Sequence, residues 1–430
     1  MEREKLKELI VEHKEKFLSK TGLIKREVKK KINTYLNSKE VILITGVRRS
    51  GKSSLMRLIT EDIITKSKVP SSNILYLNFE DERFIDFTIK DFDLLYETYL
   101  EIENSKGRCF FFLDEIQNIF GWEKWVNRLY EFEDIKFFIT GSNETLLSSE
   151  IFTALTGRNR QLITWPFSFR EFLQIREISF NERDFYLRNK KFFNEYSQLG
   201  GFPEVLKSKD STLLEQYFKD IIYRDIITRF SIRNIKEFKE LCLYLCSNVA
   251  TIFSYENLKD IIKAKNITTI KNYLGYLEDV FLFFRLSLFD YSIKRQIYNP
   301  GKFYIVDIGL SQTIGFKTSL NIGHIYENLV FLELKRQNKD IFYWKSKDGK
   351  EVDFIVKEGI KITEAIQVCY DINNPKTKER EISALISVYK ELKPDRCLII
   401  TTDEEKEEKI GKLKIKIIHL WKWLLQEQQD

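Results

Sequence analysis

The sequence predicts an α/β chain whose first third is a parallel sheet wound with helices. Two observations carry this. The runs VILIT (Val41 to Thr45), NILYLNF (Asn73 to Phe79), CFFFLDE (Cys109 to Glu115) and KFFIT (Lys136 to Thr140) are almost wholly apolar and alternate with helical stretches. Strands buried on both faces read in this continuous way, whereas half-exposed strands alternate. After Trp165-Pro166 the rhythm changes to helices and later to a mixture of strands and helices. At 430 residues the chain is also too long for one core.

Taken in order, a charged N-terminal helix is expected to run to about Ser38, followed by the sheet domain over 39–165. A helical segment over 166–234 contains SFREFLQI, DFYLRNKKFFNEYSQL, a Gly200-Gly201-Phe202-Pro203 break and LLEQYFKDIIYRDIITRF. Residues 235–312 read as a helix-turn-helix with strands, ending in KFYIVD. Residues 313–430 hold the helix HIYENLVFLELKRQ, the strands IFYWKS, EVDFIVK and ITEAIQVCY, the helix KEREISALISVYKEL and the strand RCLIITT. DEEKEEK (Asp403 to Lys409) reads as a solvated charge run.

Composition narrows the class. Hydrophobic residues make up 43% and charged residues 31%, a globular balance. Seventy Lys and Arg against 64 Asp and Glu leave +6, which permits a basic patch without requiring one. Five Cys without a C-x-x-C pair and three His argue against a structural zinc site and a disulfide framework. The charged start is not a signal peptide, and no apolar run reaches membrane-span length, so no membrane partner is expected and the cytoplasm is the expected location.

The first apolar strand leads into Gly46-Val47-Arg48-Arg49-Ser50-Gly51-Lys52-Ser53-Ser54 and then a helix, which fits G-x-x-x-x-G-K-[ST] in its required context. The glycines allow a tight loop whose backbone N–H groups, with the helix N-terminus, face phosphate oxygens. Lys52 is expected to reach the β- and γ-phosphates and Ser53 to ligate Mg²⁺. The third strand ends in Asp114-Glu115, where Asp114 would hold Mg²⁺ through water and Glu115 would polarise the attacking water. The fourth ends Thr140-Gly141-Ser142-Asn143, where a polar side chain, Asn143, would touch the γ-phosphate or that water; a plain turn is the rival.

These motifs, with LDEIQ, TGSN, Leu155-Thr156-Gly157-Arg158 and Pro166-Phe167-Ser168-Phe169-Arg170-Glu171-Phe172, resemble the AAA+ P-loop ATPase family of archaea and bacteria that carries a C-terminal nuclease-like domain. GGFPEVL, YRDIITRF, KFYIVDIGL, HIYENLVFLEL and EVDFIV extend the resemblance over most of the chain. It implies ATP and Mg²⁺ as cofactors, a helical lid over 166–234, and Arg158, ahead of Arg224 and Arg229, as an arginine sensing γ-phosphate charge in its own or a neighbouring subunit. A structural arginine is the alternative at each position.

Residues 254–266 and a second helix capped by Thr268 place Leu258, Ile261, Ile262 and Ile270, Tyr273, Leu274, Leu277 on apolar faces. Lys263, Lys265, Lys271 and Asn272 are left outward, as in a winged helix that meets DNA or, alternatively, a protein. The C-terminal segment resembles a PD-(D/E)XK nuclease core, with Glu327 and Asp353 as metal-binding acids. Gln367 and Cys369 stand where an acid and a lysine belong, so the expected site is degenerate; Lys345 is a candidate substitute, and simple pairing of the two acids with nearby Lys or Arg is the alternative. The leading expectation is an Mg²⁺-dependent ATP-hydrolysing switch or motor acting on DNA or a protein partner, self-association included. An ATP-gated, metal-dependent nuclease and a non-catalytic nucleotide-binding adaptor are the alternatives.

Overall fold

The computed structural model describes residues 1–19, 22–141, 155–178, 183–316, 322–402 and 404–426. The chain divides into two compact units, Met1–Trp165 and Pro166–Asp430.

The first unit is built on five parallel strands: β1 (Val41–Thr45), β2 (Ile74–Asn78), β3 (Cys109–Asp114), β4 (Ile135–Thr140) and β5 (Asn159–Ile163), in the order β2-β3-β4-β1-β5. The pleat sends successive side chains to opposite faces. Leu43, Phe111, Leu113 and Phe137 therefore enter one core with Trp125 and Tyr99, while Ile42, Ile44, Phe112 and Phe138 enter another with Leu55 and Ile59. The N-terminal helix does not continue to Ser38. It spans Arg3–Ser19, and a short helix Lys29–Asn33 follows. The first helix packs on edge strand β2, with Leu6, Leu9 and Ile10 in one core and Phe17 stacked on Tyr76 at 3.8 Å. It thus covers a sheet edge rather than standing apart, a common way of protecting unpaired strand groups.

Strand β5 has no counterpart among the apolar runs. Its Asn159, Arg160 and Gln161 are polar, and only Leu162 is buried. It exists because β1 offers a free pairing edge, matched from Val41 with Asn159 to Thr45 with Ile163.

The second unit opens with helices Phe169–Ile175, Arg183–Leu199, Pro203–Ser208 and Thr212–Asp220, the last running into a π-helical turn Ile221–Ile227. After helix Ile235–Ser247 come β6 (Ile252–Phe253), helices Tyr255–Ile262 and Ile267–Asp279, β7 (Phe283–Leu286) and β8 (Gly301–Ile305). The three strands pair antiparallel in the order β6-β8-β7. The second helix of the pair is capped not by Thr268 but by Asn266, whose side chain accepts from Thr269 N–H at 2.8 Å. Asn in extended conformation two residues earlier meets the first unpaired N–H groups better than a residue already inside the turn.

A six-stranded mixed sheet follows helix Ile322–Arg336: β9 (Asp340–Lys345), β10 (Glu351–Glu358), β11 (Lys361–Val368), β12 (Arg396–Thr401), β13 (Lys406–Ile410) and β14 (Leu413–His419), ordered β13-β14-β12-β11-β10-β9. The charge run Asp403 to Lys409, expected to be solvated, is partly strand. Lys406 to Lys409 join edge strand β13, whose alternate residues face solvent. Charged side chains suit an edge that must not recruit another strand.

Lys136 of β4 is fully buried and donates to the carbonyls of Ser38 at 3.1 Å and Glu40 at 2.6 Å. Burial, then the nearby Arg108 charge, pushes its ammonium down to about 8 from 10.5. The unfolded chain binds the extra proton between these values, so this group makes stability rise with pH across that window. In chemical denaturation, the stability of wild type relative to Lys136→Met should be flat below about pH 8 and grow toward pH 10.5. Parallel pH profiles for the two chains would refute this.

Candidate nucleotide site and a second acidic centre

The strand order places β4 between β1 and β3, and the register aligns Ile44 with Thr140 and Leu113 with Ile139. Thr45, Thr140 and Asp114 consequently end their strands at one sheet edge, and the Gly46–Ser53 loop leaves from that edge. Gly46 has φ +135°, and a Cβ there would lie 2.3 Å from the Thr164 carbonyl oxygen, so no larger residue fits. Gly51, left-handed at φ +97°, caps helix Lys52–Thr65. Arg49 is also left-handed and exposed, Val47 is buried and anchors the loop, and Arg48, Ser53 and Ser54 are half-buried. Lys52 donates to the Gly46 carbonyl at 3.2 Å and the Val47 carbonyl at 3.5 Å, which holds its ammonium over the loop.

Arg26, which drew no attention as sequence, is buried under this loop. It donates to the carbonyls of Ser50 at 2.9 Å and Trp165 at 2.5 Å, tying the loop to the end of the first unit. The Ser50 hydroxyl is buried with no protein partner among the described residues.

Asp114 is 2% exposed, and its two carboxylate oxygens accept from different neighbours: one from the Tyr76 hydroxyl at 3.0 Å, the other from the Thr140 hydroxyl. Burial and then the Asp114 charge push the Tyr76 phenol well above its usual range, so it remains a donor. The Thr140 oxygen also accepts from Glu115 N–H at 2.9 Å. Glu115 is half-buried and left-handed at φ +53°, and Gln117 donates to its carboxylate at 2.6 Å. A non-glycine residue held in that region costs on the order of 1–3 kcal/mol and is typical of sites. Tyr76 lies outside the motifs, whereas Thr140 and Gln117 stand inside TGSN and LDEIQ with no role assigned to them from the sequence.

A glycine-lined loop on a helix N-terminus, a lysine over it, a helix-start serine and a buried carboxylate nearby form a donor set that fits a nucleotide triphosphate with Mg²⁺.

Arg158 is placed elsewhere. Its carbonyl accepts from Val41 N–H at 2.8 Å, at the start of β1, whereas the loop leaves the other end. Five strand residues put roughly 16 Å between the two. Its guanidinium donates to Asn127 at 2.5 Å and Glu131 at 2.7 Å. It is therefore no phosphate ligand for the loop of its own chain. Arg224 and Arg229 lie in or just beyond the π-helical turn of the second unit. Asn143 falls outside the described residues.

The second unit holds a different acidic centre. Glu327, on helix Ile322–Arg336, and Asp353, on β10, are both buried and both contact Lys302 of β8. Lys345 is exposed at the end of β9 and is not the lysine of this centre. Gln367, opposite Ile399 in the β11–β12 pairing, accepts from Asp353 N–H at 3.2 Å and donates to Glu381. Cys369 is buried, and burial pushes its thiol up to about 12. Lys302 was missed because KFYIVD looks like any core strand; the lysine within it was the available signal. Among the described residues, no group of three His, Cys, Asp or Glu side chains has metal-holding geometry, and no helix is long and apolar enough to cross a membrane.

Thr140→Val keeps the side-chain shape but leaves Glu115 N–H and one Asp114 oxygen without their partner. A charge-assisted bond of this kind contributes about 1.5–3 kcal/mol, so the urea midpoint of the first unit should fall measurably and Thr140→Ser should restore it. Equal midpoints for all three chains would show that the hydroxyl holds nothing together.

The family comparison agrees with the loop and the parallel sheet of the first unit. A family model described as "AAA domain" matches residues 38–173, and two described as domains of unknown function, DUF8612 and DUF4143, match residues 190–320 and 322–423. The uncharacterized protein MJ1544 of Methanocaldococcus jannaschii is 37% identical over 427 residues, covering 94% of this chain and 92% of its own length. An uncharacterized protein of Haemophilus influenzae is 30% identical over 417 residues, covering 95% of this chain and 100% of its own. Among solved structures, the Aeropyrum pernix ORC1 protein in complex with DNA is 12% identical, covering 70% of this chain and 94% of that one, with a TM-score of 0.30. With the loop, the parallel sheet and relatives matched nearly end to end, the chain belongs to the AAA+ P-loop ATPase family of archaea and bacteria.

Proposed function

We propose that the chain binds ATP with Mg²⁺ at Gly46 to Ser54, hydrolyses it, and uses the cycle as a switch or motor acting on DNA. The observation that carries the hydrolytic part is the linked set Asp114, Thr140 and Glu115, because a nucleotide binder has no need of a second acid held in a strained conformation at the strand end. Loop N–H groups and the helix N-terminus hold the phosphates, and Lys52 neutralises the β- and γ-oxygens. Ser53 and Asp114 would hold Mg²⁺, which would offset the negative charge that develops on the phosphates. Glu115, steadied by Gln117, orients the attacking water and takes its proton. Arg158 can serve a phosphate only in another copy of the chain.

Support for DNA comes from the helix pair beside β6, β7 and β8, where Lys263, Lys265, Lys271 and Asn272 are all exposed. A protein partner is the second reading, favoured by Tyr291, Ile293 and Tyr298 on the same module, which are 83%, 72% and 72% exposed.

Phosphate release from ATP, measured with and without DNA, tests the first reading. Lys52→Ala should abolish turnover. Glu115→Gln should retain nucleotide binding and lose about 10²- to 10⁴-fold in rate; an unchanged rate would remove Glu115 as the base. If DNA is the partner, reversing the charge of Lys263, Lys265 and Lys271 should weaken binding and flatten its salt dependence by ~0.9 in slope for each phosphate that is no longer neutralised. A salt-independent interaction would favour a protein partner instead.

A further inference from the structure

The centre around Lys302 is complete in a way that bears on what it can bind. Lysine carries three N–H donors and no acceptor. Lys302 donates to Glu327 at 2.7 Å and to Asp353 at 3.0 Å, and its ammonium also pairs with the Glu351 carboxylate at 2.7 Å. Its side chain is only 3% exposed. Two further donors reach these acids. The Glu327 oxygen that meets Lys302 also accepts from the Tyr304 hydroxyl at 2.6 Å, and the second Asp353 oxygen accepts from Val368 N–H at 2.9 Å.

The parts come from three elements. Lys302 and Tyr304, two residues apart, share one face of central strand β8; Glu351 and Asp353, likewise two apart, share one face of β10; and Glu327 comes from the helix Ile322–Arg336. The centre opens onto a cavity of about 820 Å³ whose wall also includes His324, Arg380 and Glu381. Burial opposes charge on Lys302, yet the three carboxylates hold its ammonium well above the usual range. Burial, and then Asp353, push the Glu327 carboxyl up, while the Lys302 ammonium beside it pulls it back down.

Three converging carboxylates ordinarily need a cation, and a hard divalent ion is the usual one. We propose that Lys302 is that cation: a tethered ammonium that fills the position a divalent ion would need, so that the centre is a metal-free junction pinning the β6-β8-β7 sheet to the six-stranded sheet. The ammonium and a metal cannot bond the same oxygens at once. Spaced around the ammonium, these acids have no metal-holding geometry; removing the lysine charge frees Glu327, Glu351 and Asp353 to close on a divalent cation in its place.

The test uses the full chain without nucleotide, carrying Lys52→Ala to silence the first unit, with Mn²⁺ as the probe. In this background Mn²⁺ should leave the unfolding midpoint unchanged. Adding Lys302→Met should lower the midpoint, and Mn²⁺ at about 100 times its Kd should then raise it by several degrees. Adding Asp353→Asn should abolish that response. If Lys302→Met does not fold, paramagnetic resonance of Mn²⁺ on the lysine-bearing chain, with and without Asp353→Asn, decides alone: no Asp353-dependent bound Mn²⁺ is expected. The proposal is overturned if the lysine-bearing chain binds Mn²⁺ through Asp353, if folded Lys302→Met ignores Mn²⁺, or if Mn²⁺-dependent DNA cutting by the lysine-bearing chain disappears in Lys302→Met.

Discussion

The first unit depends on the insertion of β4 between β1 and β3. Without it the phosphate loop and the acid pair would end adjacent strands, and no side chain would stand between them. With it, Thr140 occupies that position and links Asp114 to the backbone of Glu115 through one hydroxyl. Parallel pairing then does the rest. It brings every strand's C-terminal end to the same edge, which is where open α/β sheets place their ligands. It also sends Arg158 to the opposite edge, because that residue precedes β5 rather than following it.

Several buried polar groups support this edge from outside the motifs. Arg26 holds the loop by two carbonyls, and Tyr76 holds one oxygen of Asp114. The Tyr76 ring is itself stacked on Phe17 of the N-terminal helix. That helix also carries His13, whose ring nitrogen accepts from Asn78 N–H at 3.2 Å at the end of β2. A segment that looks like a charged preface in the sequence therefore reaches the acid pair through a single intervening side chain, Tyr76. Asp114 is buried enough that each donor counts, since an unpaired carboxylate there would carry its full desolvation penalty.

The second unit solves a different electrostatic problem. Breaking a buried ion pair by removing one partner costs far more than the pair contributes when intact. A lysine shared among three acids is therefore hard to replace once present, and it joins strands from two sheets. The expected acids Glu327 and Asp353 do come together, but around an ammonium, with Gln367 and Glu381 bonded to each other beside them.

By itself the sequence determined the parallel sheet, the loop Gly46 to Ser54 and the acids Asp114 and Glu115, because each follows from local patterns: continuous apolar runs, a fixed glycine–lysine spacing, and charges at a strand's end. Even Val41–Thr45 was legible to the residue. Only the tertiary structure decided the rest. Strand β5 and edge strand β13 are polar and form because a neighbour offers an edge. Thr140, Tyr76 and Arg26 matter through what faces them, and the end of the sheet that Arg158 occupies depends on pairing register. Lys302 lies 25 residues from Glu327 and 51 from Asp353, and nothing short-ranged marks the three as neighbours. Motifs record interactions made within a few residues; a buried cation among acids from separate elements is defined only once the chain has folded.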